Sequence, residues 1–229
     1  DKATNKSVAS GIFGIPAPNK LISTRPPTQE ERSAAILLAE ELDKVRYRDR
    51  EVDDTYSERP PGRLRTGVAM RQHAAQSLGL EGGRYEPFHQ RRRVETEEPS
   101  LTVAMMSDVS GSMREAQPSV AVANYVVSEA VHRLGRDAKA AQVYYGSQVH
   151  PGLKSGERSG KVRTWLGGGS SHNFDQAFRA LDGELNLLHG TGARLLFVVS
   201  DGVYSRTERE DAVRWLNACK KWGVAVVWI

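Results

Sequence analysis

The sequence contains a single cysteine, Cys219, among its 229 residues. One thiol forms neither an internal disulfide nor a multi-cysteine zinc site, and this scarcity fits a reducing compartment such as the cytoplasm. No apolar run approaches the roughly 20 residues that a membrane-spanning helix needs, so we expect no membrane partner. The chain lacks a visible signal peptide and does not begin with methionine, so we expect a processed protein or a piece of a longer one.

Charge of one sign is also not in large excess. The chain has 32 basic and 28 acidic residues, which gives a formal net charge of +4. This small imbalance provides no electrostatic footprint for nucleic acid, and we expect none as a partner. The metalloprotease pattern His-Glu-x-x-His and the hydrolase pattern Gly-x-Ser-x-Gly are both absent. We therefore expect a binding protein without catalytic residues rather than an enzyme.

The pattern of residues divides the chain into three segments. Residues 1–29 are polar and contain several prolines, which predicts an extended arm or linker. Residues 30–99 predict an N-terminal helical extension with helices over 28–47 and 62–79, and Thr28 with Glu31 forms a capping-box pattern at the first of them. Residues 100–229 form the third segment and predict a separate domain.

In the third segment, apolar runs alternate with helical patterns. Strands are predicted over 101–107, 138–145, 193–200 and 224–229, with helices over 116–135, 173–188 and 206–222. The first run, LTVAMMS, is continuously apolar, as is typical of a strand buried on both faces. This alternation predicts an α/β fold of the Rossmann-like, doubly wound kind, with a mostly parallel central sheet and helices on both faces.

Oxygen-bearing side chains follow two of these predicted strands. Asp108, Ser110 and Ser112 come directly after the first strand, and Asp201 comes directly after the third. A third cluster, GGGSSH, ends at His172 just before a predicted helix. Ligands of open α/β sheets bind at the carboxyl ends of the strands, where these clusters can meet. Such hard oxygen groups suit Mg²⁺, and also Mn²⁺ or Ca²⁺.

The sequence DVSGSM after a buried strand resembles the metal-ion-dependent adhesion site of von Willebrand factor A (VWA) domains, whose pattern is Asp-x-Ser-x-Ser. The resemblance covers roughly residues 100–229, and Asp201 matches the second aspartate of that family. It implies a VWA fold in which Asp108, Ser110, Ser112 and Asp201 hold a divalent cation. It also implies that an acidic side chain of a partner protein fills the last coordination position.

Family members usually supply one more ligand, a threonine, from a Gly-Gly-Thr-Asn sequence before a helix. Here Ser171 is the first candidate for that position, because a serine hydroxyl can replace a threonine hydroxyl. Counting forward from the glycines gives Ser170 instead, and counting back from the helix gives His172. The candidates for contact with the partner are the residues around the predicted site: Trp165, Ser170, His172 and Tyr204. Trp165 and Tyr204 fit a role in the core equally well.

A second resemblance concerns the approach to this site. The sequences GRLRTGVAMRQ and YEPFHQRRRVETEEPSLTVAMMSDVSGSM, over about residues 60–115, resemble the bacterial intracellular group around the CobT subunit of cobaltochelatase. Members of this group work with AAA+ ATPases of the MoxR or CobS type, which implies a cytoplasmic, non-enzymatic adaptor. Two alternatives stay open: a structural component of a phage or injection-system particle, and a CobT-like chelatase subunit.

Overall fold

A computed structural model describes residues 2–16, 19–46, 52–79, 85–93 and 100–229. The chain forms two compact units, of which the larger contains Asp1–Arg46 and Glu98–Ile229 and the smaller contains Tyr47–Glu97. Among the described residues, no helix is long and apolar enough to span a lipid bilayer.

The described residues form six α-helices and ten β-strands. The helices are α1 (Lys2–Phe13), α2 (Gln29–Arg46), α3 (Thr66–Ser77), α4 (Gln117–Arg133), α5 (Phe174–Leu185) and α6 (Arg206–Lys221). The strands are β1 (Ile22–Arg25), β2 (Val52–Ser57), β3 (Arg63–Leu64), β4 (Phe88–Arg93), β5 (Leu101–Asp108), β6 (Ala138–Tyr145), β7 (Val149–Leu153), β8 (Val162–Trp165), β9 (Ala193–Val199) and β10 (Ala225–Trp228).

The larger unit is built on a five-stranded sheet with the strand order β10-β9-β5-β6-β7. Strand β5 pairs in parallel with β6 and β9, β10 pairs in parallel with β9, and β7 runs antiparallel to β6. The prediction of an α/β fold with a mostly parallel sheet is therefore confirmed. The chain leaves β5 to form β6 on one side and later forms β9 on the other. The carboxyl end of β5 thus lies at the switch in strand order, where such sheets bind ligands.

Strand β5 is buried along its whole length, as its continuous apolar run predicts. Successive side chains of a strand point to opposite faces of the sheet. Val103 and Met105 accordingly pack in one core cluster with residues of α4. Ala104 and Met106 pack in another cluster with residues of α5 and α6. Helices therefore cover both faces of the sheet.

The N-terminal segment differs from the predicted extended arm of residues 1–29. Its first part is helix α1, whose residues Ala9, Ile12 and Phe13 are buried in the same core cluster as α5. Farther along, β1 pairs in antiparallel fashion with β8. The apolar residues of α1 have helical spacing, but serine, asparagine and glycine separate them, and tertiary packing supplies the stability that local propensity lacks.

A close backbone approach fixes α1 against α5. The side-chain amide of Asn5 donates a 2.8 Å hydrogen bond to the buried carboxylate of Asp182. Next to it, the backbone carbonyl of Asn5 lies where a Cβ atom at Gly183 would be. Only glycine therefore fits position 183 without displacing α1, although glycine in a helix interior is unfavourable by about 1 kcal/mol relative to alanine.

The predicted helical extension over residues 30–99 is divided between the two units. Helix α2 belongs to the larger unit, where Leu38 and Leu42 pack against the core cluster of α4. Its capping box is confirmed: Thr28 N–H donates to Glu31 Oε2 at 2.8 Å, and Glu31 N–H donates to Thr28 Oγ1 at 3.3 Å. The compact units therefore divide the chain differently from the predicted boundary at residue 100, since α1, β1 and α2 belong to the α/β unit.

The smaller unit is not purely helical. It contains the antiparallel sheet β2-β4-β3 together with α3, which replaces the longer helix predicted over 62–79. His89 of β4 stacks on Tyr56 of β2 with ring centroids 5.1 Å apart, and it lies 2.8 Å from Asp54. Strands β2 and β3 pair with β4, which is distant from β2 in sequence, so the local sequence pattern did not predict this sheet. Residues 94–99, which belong to the CobT-like sequence, lie outside the described residues.

Candidate metal centre

Two strand ends form the floor of the candidate site. Strands β5 and β9 are paired in parallel up to Ser107 and Val199, so the residues that follow them leave the sheet side by side. Ser200 Oγ donates a 2.7 Å hydrogen bond to Asp108 Oδ2, and both residues are buried. This bond holds the two strand ends together at the switch in strand order.

The turn after β5 brings its two serines together above Asp108. The backbone N–H of Ser110 donates to Asp108 Oδ1 at 2.8 Å, and Ser110 Oγ lies 3.0 Å from Ser112 Oγ. The side-chain amide of Gln117, at the start of α4, donates to the backbone carbonyl of Asp108 at 2.9 Å. The predicted oxygen ligands Asp108, Ser110 and Ser112 are thus gathered in one turn.

The glycine-serine loop, residues 167–172, is fixed by backbone hydrogen bonds in the loop and directly after it. Gly111 N–H donates to Gly169 O at 2.9 Å, and Asn173 N–H donates to Gly146 O at 2.9 Å. Between these two bonds, Ser170 and Ser171 are exposed, and the following residue, His172, turns inward and is only 8% exposed. Of the three residues considered for this ligand position, the structure therefore places the imidazole, rather than the Ser171 hydroxyl ranked first, in the interior.

His172 lies between two carboxylates. Its Nε2 atom is 3.4 Å from Asp108 Oδ2, and its Nδ1 atom is 3.5 Å from Glu208 Oε2. Within the described part of the chain, neither ring nitrogen has a hydrogen-bond partner. The ring edge packs against Tyr204, with centroids 4.8 Å apart. Neither carboxylate contact is a hydrogen bond, and buried polar atoms are normally hydrogen-bonded, so this imidazole can accept a further ligand.

Glu208 anchors both His172 and the start of α6. Its Oε1 accepts a 2.6 Å hydrogen bond from His172 N–H, and its Oε2 accepts a 2.8 Å bond from Ser205 N–H. The Ser205 hydroxyl in turn accepts from Glu208 N–H, which completes a capping box. Burial acts to raise the pKa of Glu208, but these hydrogen bonds outweigh it and lower the pKa to about 2. Glu208 is therefore a carboxylate at neutral pH.

Asp201, which is exposed, is the third carboxylate of the site after Asp108 and Glu208. Val203 N–H donates to its Oδ1 at 3.0 Å. Partial burial acts to raise its pKa, but hydrogen bonds from the Ser112 hydroxyl and from Val203 N–H lower it overall. Asp201 is thus also ionised at neutral pH, and through Ser112 it is linked to the turn after β5.

These residues fit a metal ion. One ligand atom each from Asp108, His172 and Asp201 lie within 4.8 Å of one another. A small divalent metal ion lies about 2.0–2.2 Å from its oxygen and nitrogen ligands. The three ligand atoms would therefore have to move slightly closer together to contact one ion. Two carboxylates and an unpartnered imidazole form a donor set for a divalent cation. Asp108 and Asp201 were identified from the sequence.

A row of hydroxyl groups supports Asp108 from inside the protein. Tyr145 and Tyr204 share a 2.8 Å hydrogen bond, and Tyr204 Oη donates to Ser200 Oγ at 2.9 Å. Ser200 then donates to Asp108. Burial raises the pKa of Tyr204 to about 12, so its hydroxyl stays protonated. Tyr204 therefore positions the site from the interior.

Trp165 is also an interior residue. It is 4% exposed, and its ring packs 5.1 Å from that of Tyr144 in a cluster that includes Val109. Of the four predicted partner contacts, Trp165, His172 and Tyr204 are thus buried, and Ser170 is exposed. Sequence reasoning missed Glu208, although the Ser-x-x-Glu capping pattern at Ser205 could have pointed to it.

The chain matches no protein-family model, and no curated protein matches it.

Proposed function

We propose that this protein is a non-enzymatic binding module of the VWA type, which holds a divalent cation and through it binds an acidic group of a protein partner. The observation that carries the proposal is the convergence of Asp108, His172 and Asp201 at the carboxyl edge of the sheet, with ligand atoms within 4.8 Å. Three protein ligands leave coordination positions free, as sites that accept an external ligand require.

Binding rather than catalysis is favoured by the state of the two serines. A nucleophilic serine needs a general base within hydrogen-bond reach. Ser110 Oγ and Ser112 Oγ are hydrogen-bonded to each other at 3.0 Å. Among the described residues, the ring of His172 accepts no hydrogen bond from either serine. The serines therefore support the cation site better than they support acyl transfer.

Isothermal titration calorimetry of metal-free protein tests the cation site. Wild type should bind a divalent cation when Mg²⁺, Mn²⁺, Ca²⁺ and Zn²⁺ are titrated separately, and Asp108→Asn should weaken that binding about tenfold or more because it removes a buried anionic ligand. Asp211→Asn is the matched control: its side chain is 38% exposed on α6 and pairs with Arg214. Undetectable binding of every ion, or equal binding by Asp108→Asn, would refute the proposal.

A narrower proposal concerns the partner. An AAA+ ATPase of the MoxR or CobS type is proposed because residues 60–115 resemble the CobT group. A purified ATPase of this type should bind the wild-type chain in the presence of the cation and should be released by EDTA. Asp108→Asn should weaken the interaction about tenfold or more at the same cation concentration. Binding that persists both in EDTA and with this variant would mean that the cation does not form the contact.

A further inference from the structure

We propose that the metal site binds a first-row transition-metal ion of the Zn²⁺ or Co²⁺ kind, through His172 Nε2 together with Asp108 and Asp201, in preference to Mg²⁺ or Ca²⁺. This inference rests on the proposed cation-dependent function and names the ion class for that site. Imidazole nitrogen is a preferred ligand of zinc and its neighbours, whereas Mg²⁺ and Ca²⁺ select oxygen. The sequence-based preference for Mg²⁺ followed from oxygen ligands, with Ser171 ranked ahead of His172.

The burial of His172 is the first support. The residue is 8% exposed, and within the described part of the chain both of its ring nitrogens lack a hydrogen-bond partner. Leaving a polar group buried and unpaired is unfavourable unless a ligand satisfies it. A metal ion on Nε2 would satisfy the nitrogen that faces Asp108.

The distance between ligand atoms is the second support. Two adjacent ligands that are each about 2.0–2.1 Å from one ion are separated by about 2.8–3.0 Å in octahedral coordination and about 3.3–3.4 Å in tetrahedral coordination. His172 Nε2 and Asp108 Oδ2 are 3.4 Å apart and are not hydrogen-bonded to each other. This separation is that of two neighbouring ligands on a single ion. Asp201, whose ligand atom lies within 4.8 Å of both, can be the third.

Glu208 supplies the third support, because it lies on the opposite edge of the imidazole. Metal-binding histidines commonly direct their second ring nitrogen at a carboxylate, which fixes the tautomer and the ring orientation. Here Glu208 Oε2 is 3.5 Å from His172 Nδ1, and Glu208 Oε1 accepts a 2.6 Å hydrogen bond from His172 N–H. A proton on Nδ1 would face Glu208, which leaves the lone pair of Nε2 directed at Asp108.

The experiment compares ion classes on the full chain by calorimetry. Metal-free wild type should bind Zn²⁺ and Co²⁺ at least about tenfold more tightly than Mg²⁺ and Ca²⁺. His172→Ser should lower the affinity for Zn²⁺ and Co²⁺ by about 10–100-fold and leave the affinity for Mg²⁺ unchanged. His132→Ser, at an exposed histidine of α4, is the matched control and should bind all four ions as wild type does.

Two spectroscopic measurements use wild type and do not depend on how well the variant folds. With Co²⁺, visible d–d absorption should appear at one equivalent. With Zn²⁺, ¹⁵N NMR should show metal coordination at Nε2 of His172 and a proton on Nδ1. Coordination at Nδ1, or an imidazole signal that Zn²⁺ leaves unchanged, would overturn the inference.

The outcomes separate this inference from the proposed function. Cation binding that depends on Asp108, with no preference for Zn²⁺ over Mg²⁺ and no loss of Zn²⁺ affinity in His172→Ser, overturns the inference and leaves the proposed function intact. Failure of all four ions to bind overturns both. In that case the imidazole would be a fixed partner of the carboxylates.

Discussion

Replacing Glu208 by glutamine should destabilise the metal-free protein, because it removes a carboxylate that the fold holds in its charged form. The side chain of Glu208 is 18% exposed and accepts hydrogen bonds from the backbone N–H groups of His172 and Ser205. These bonds, with one from the Ser205 side chain, outweigh the effect of burial and lower the pKa from 4.5 to about 2. Glutamine keeps the shape but not the charge.

The size of the effect follows from the two pKa values. A gap of about 2.5 pH units, at about 1.4 kcal/mol per unit, gives about 3 kcal/mol of folding free energy. The folded-state pKa lies below the unfolded-state value, so this stabilisation is present above pH 4.5 and is lost as the pH falls toward 2. At pH 3, about 2 kcal/mol of the difference between wild type and Glu208→Gln should have disappeared.

Urea unfolding followed by tryptophan fluorescence measures this difference, since Trp165 and Trp215 are both buried. The measurements are made in EDTA at pH 7 and pH 3, so that no metal contributes. The control is Glu210→Gln on the same helix, where a side chain that is 66% exposed pairs with Arg206. An exposed pair of this kind contributes less than about 1 kcal/mol.

Two results would refute the reasoning. The first is a loss below about 1 kcal/mol for Glu208→Gln at pH 7, which would mean that the hydrogen bonds do not discriminate charge. The second is an equal loss at both pH values, which would mean that glutamine disturbs the packing and not the ionisation.

Three further predictions concern other parts of the larger unit. Arg158→Ala should cost about 1–3 kcal/mol at pH 7 by urea unfolding, because the 1%-exposed carboxylate of Glu129 loses its two bonds to Arg158 and keeps the 3.4 Å contact with Arg133. The hydrogen bond from Arg158 lowers the pKa of Glu129, so protonation of Glu129 in acid removes the ion pair and the loss of stability should become smaller. A loss that is the same in acid as at pH 7 would count against the ion pair. Phe13→Ala should lower the free energy of unfolding by about 3–5 kcal/mol, because Phe13 is buried. Ile15→Ala, at a 64%-exposed residue, should lower it by less than about 0.5 kcal/mol. Equal losses in the two variants would place α1 outside the core. Burial raises the pKa of Cys219 to about 12, so a thiol reagent should label it only after unfolding, and labelling of the native protein would contradict its burial.

The sequence predicted the α/β unit well where a single element carries its own signal. The buried run at β5 requires helices on both faces, and Thr28 with Glu31 marks the start of α2. Asp108 and Asp201 could be paired in advance because parallel strands end at the same edge of a sheet. These inferences need only local pattern and one rule of topology.

Other features depend on contacts between distant parts of the chain. The apolar residues of α1 gain their stability from α5, about 170 residues away, so local composition indicated an arm. The inward position of His172 likewise results from anchors outside its own segment, at Gly111, Gly146 and Glu208. Counting along the loop could not decide which of its side chains faces Asp108, because those anchors set the register.

The close approach of Asn5 to Gly183 has a consequence for where the domain begins. With glycine at position 183, the first helix packs directly on α5; with any larger residue, a side-chain atom would overlap the Asn5 carbonyl and α1 would have to shift away. A single position in α5 thus sets how closely residues 2–13 can pack against the rest of the larger unit.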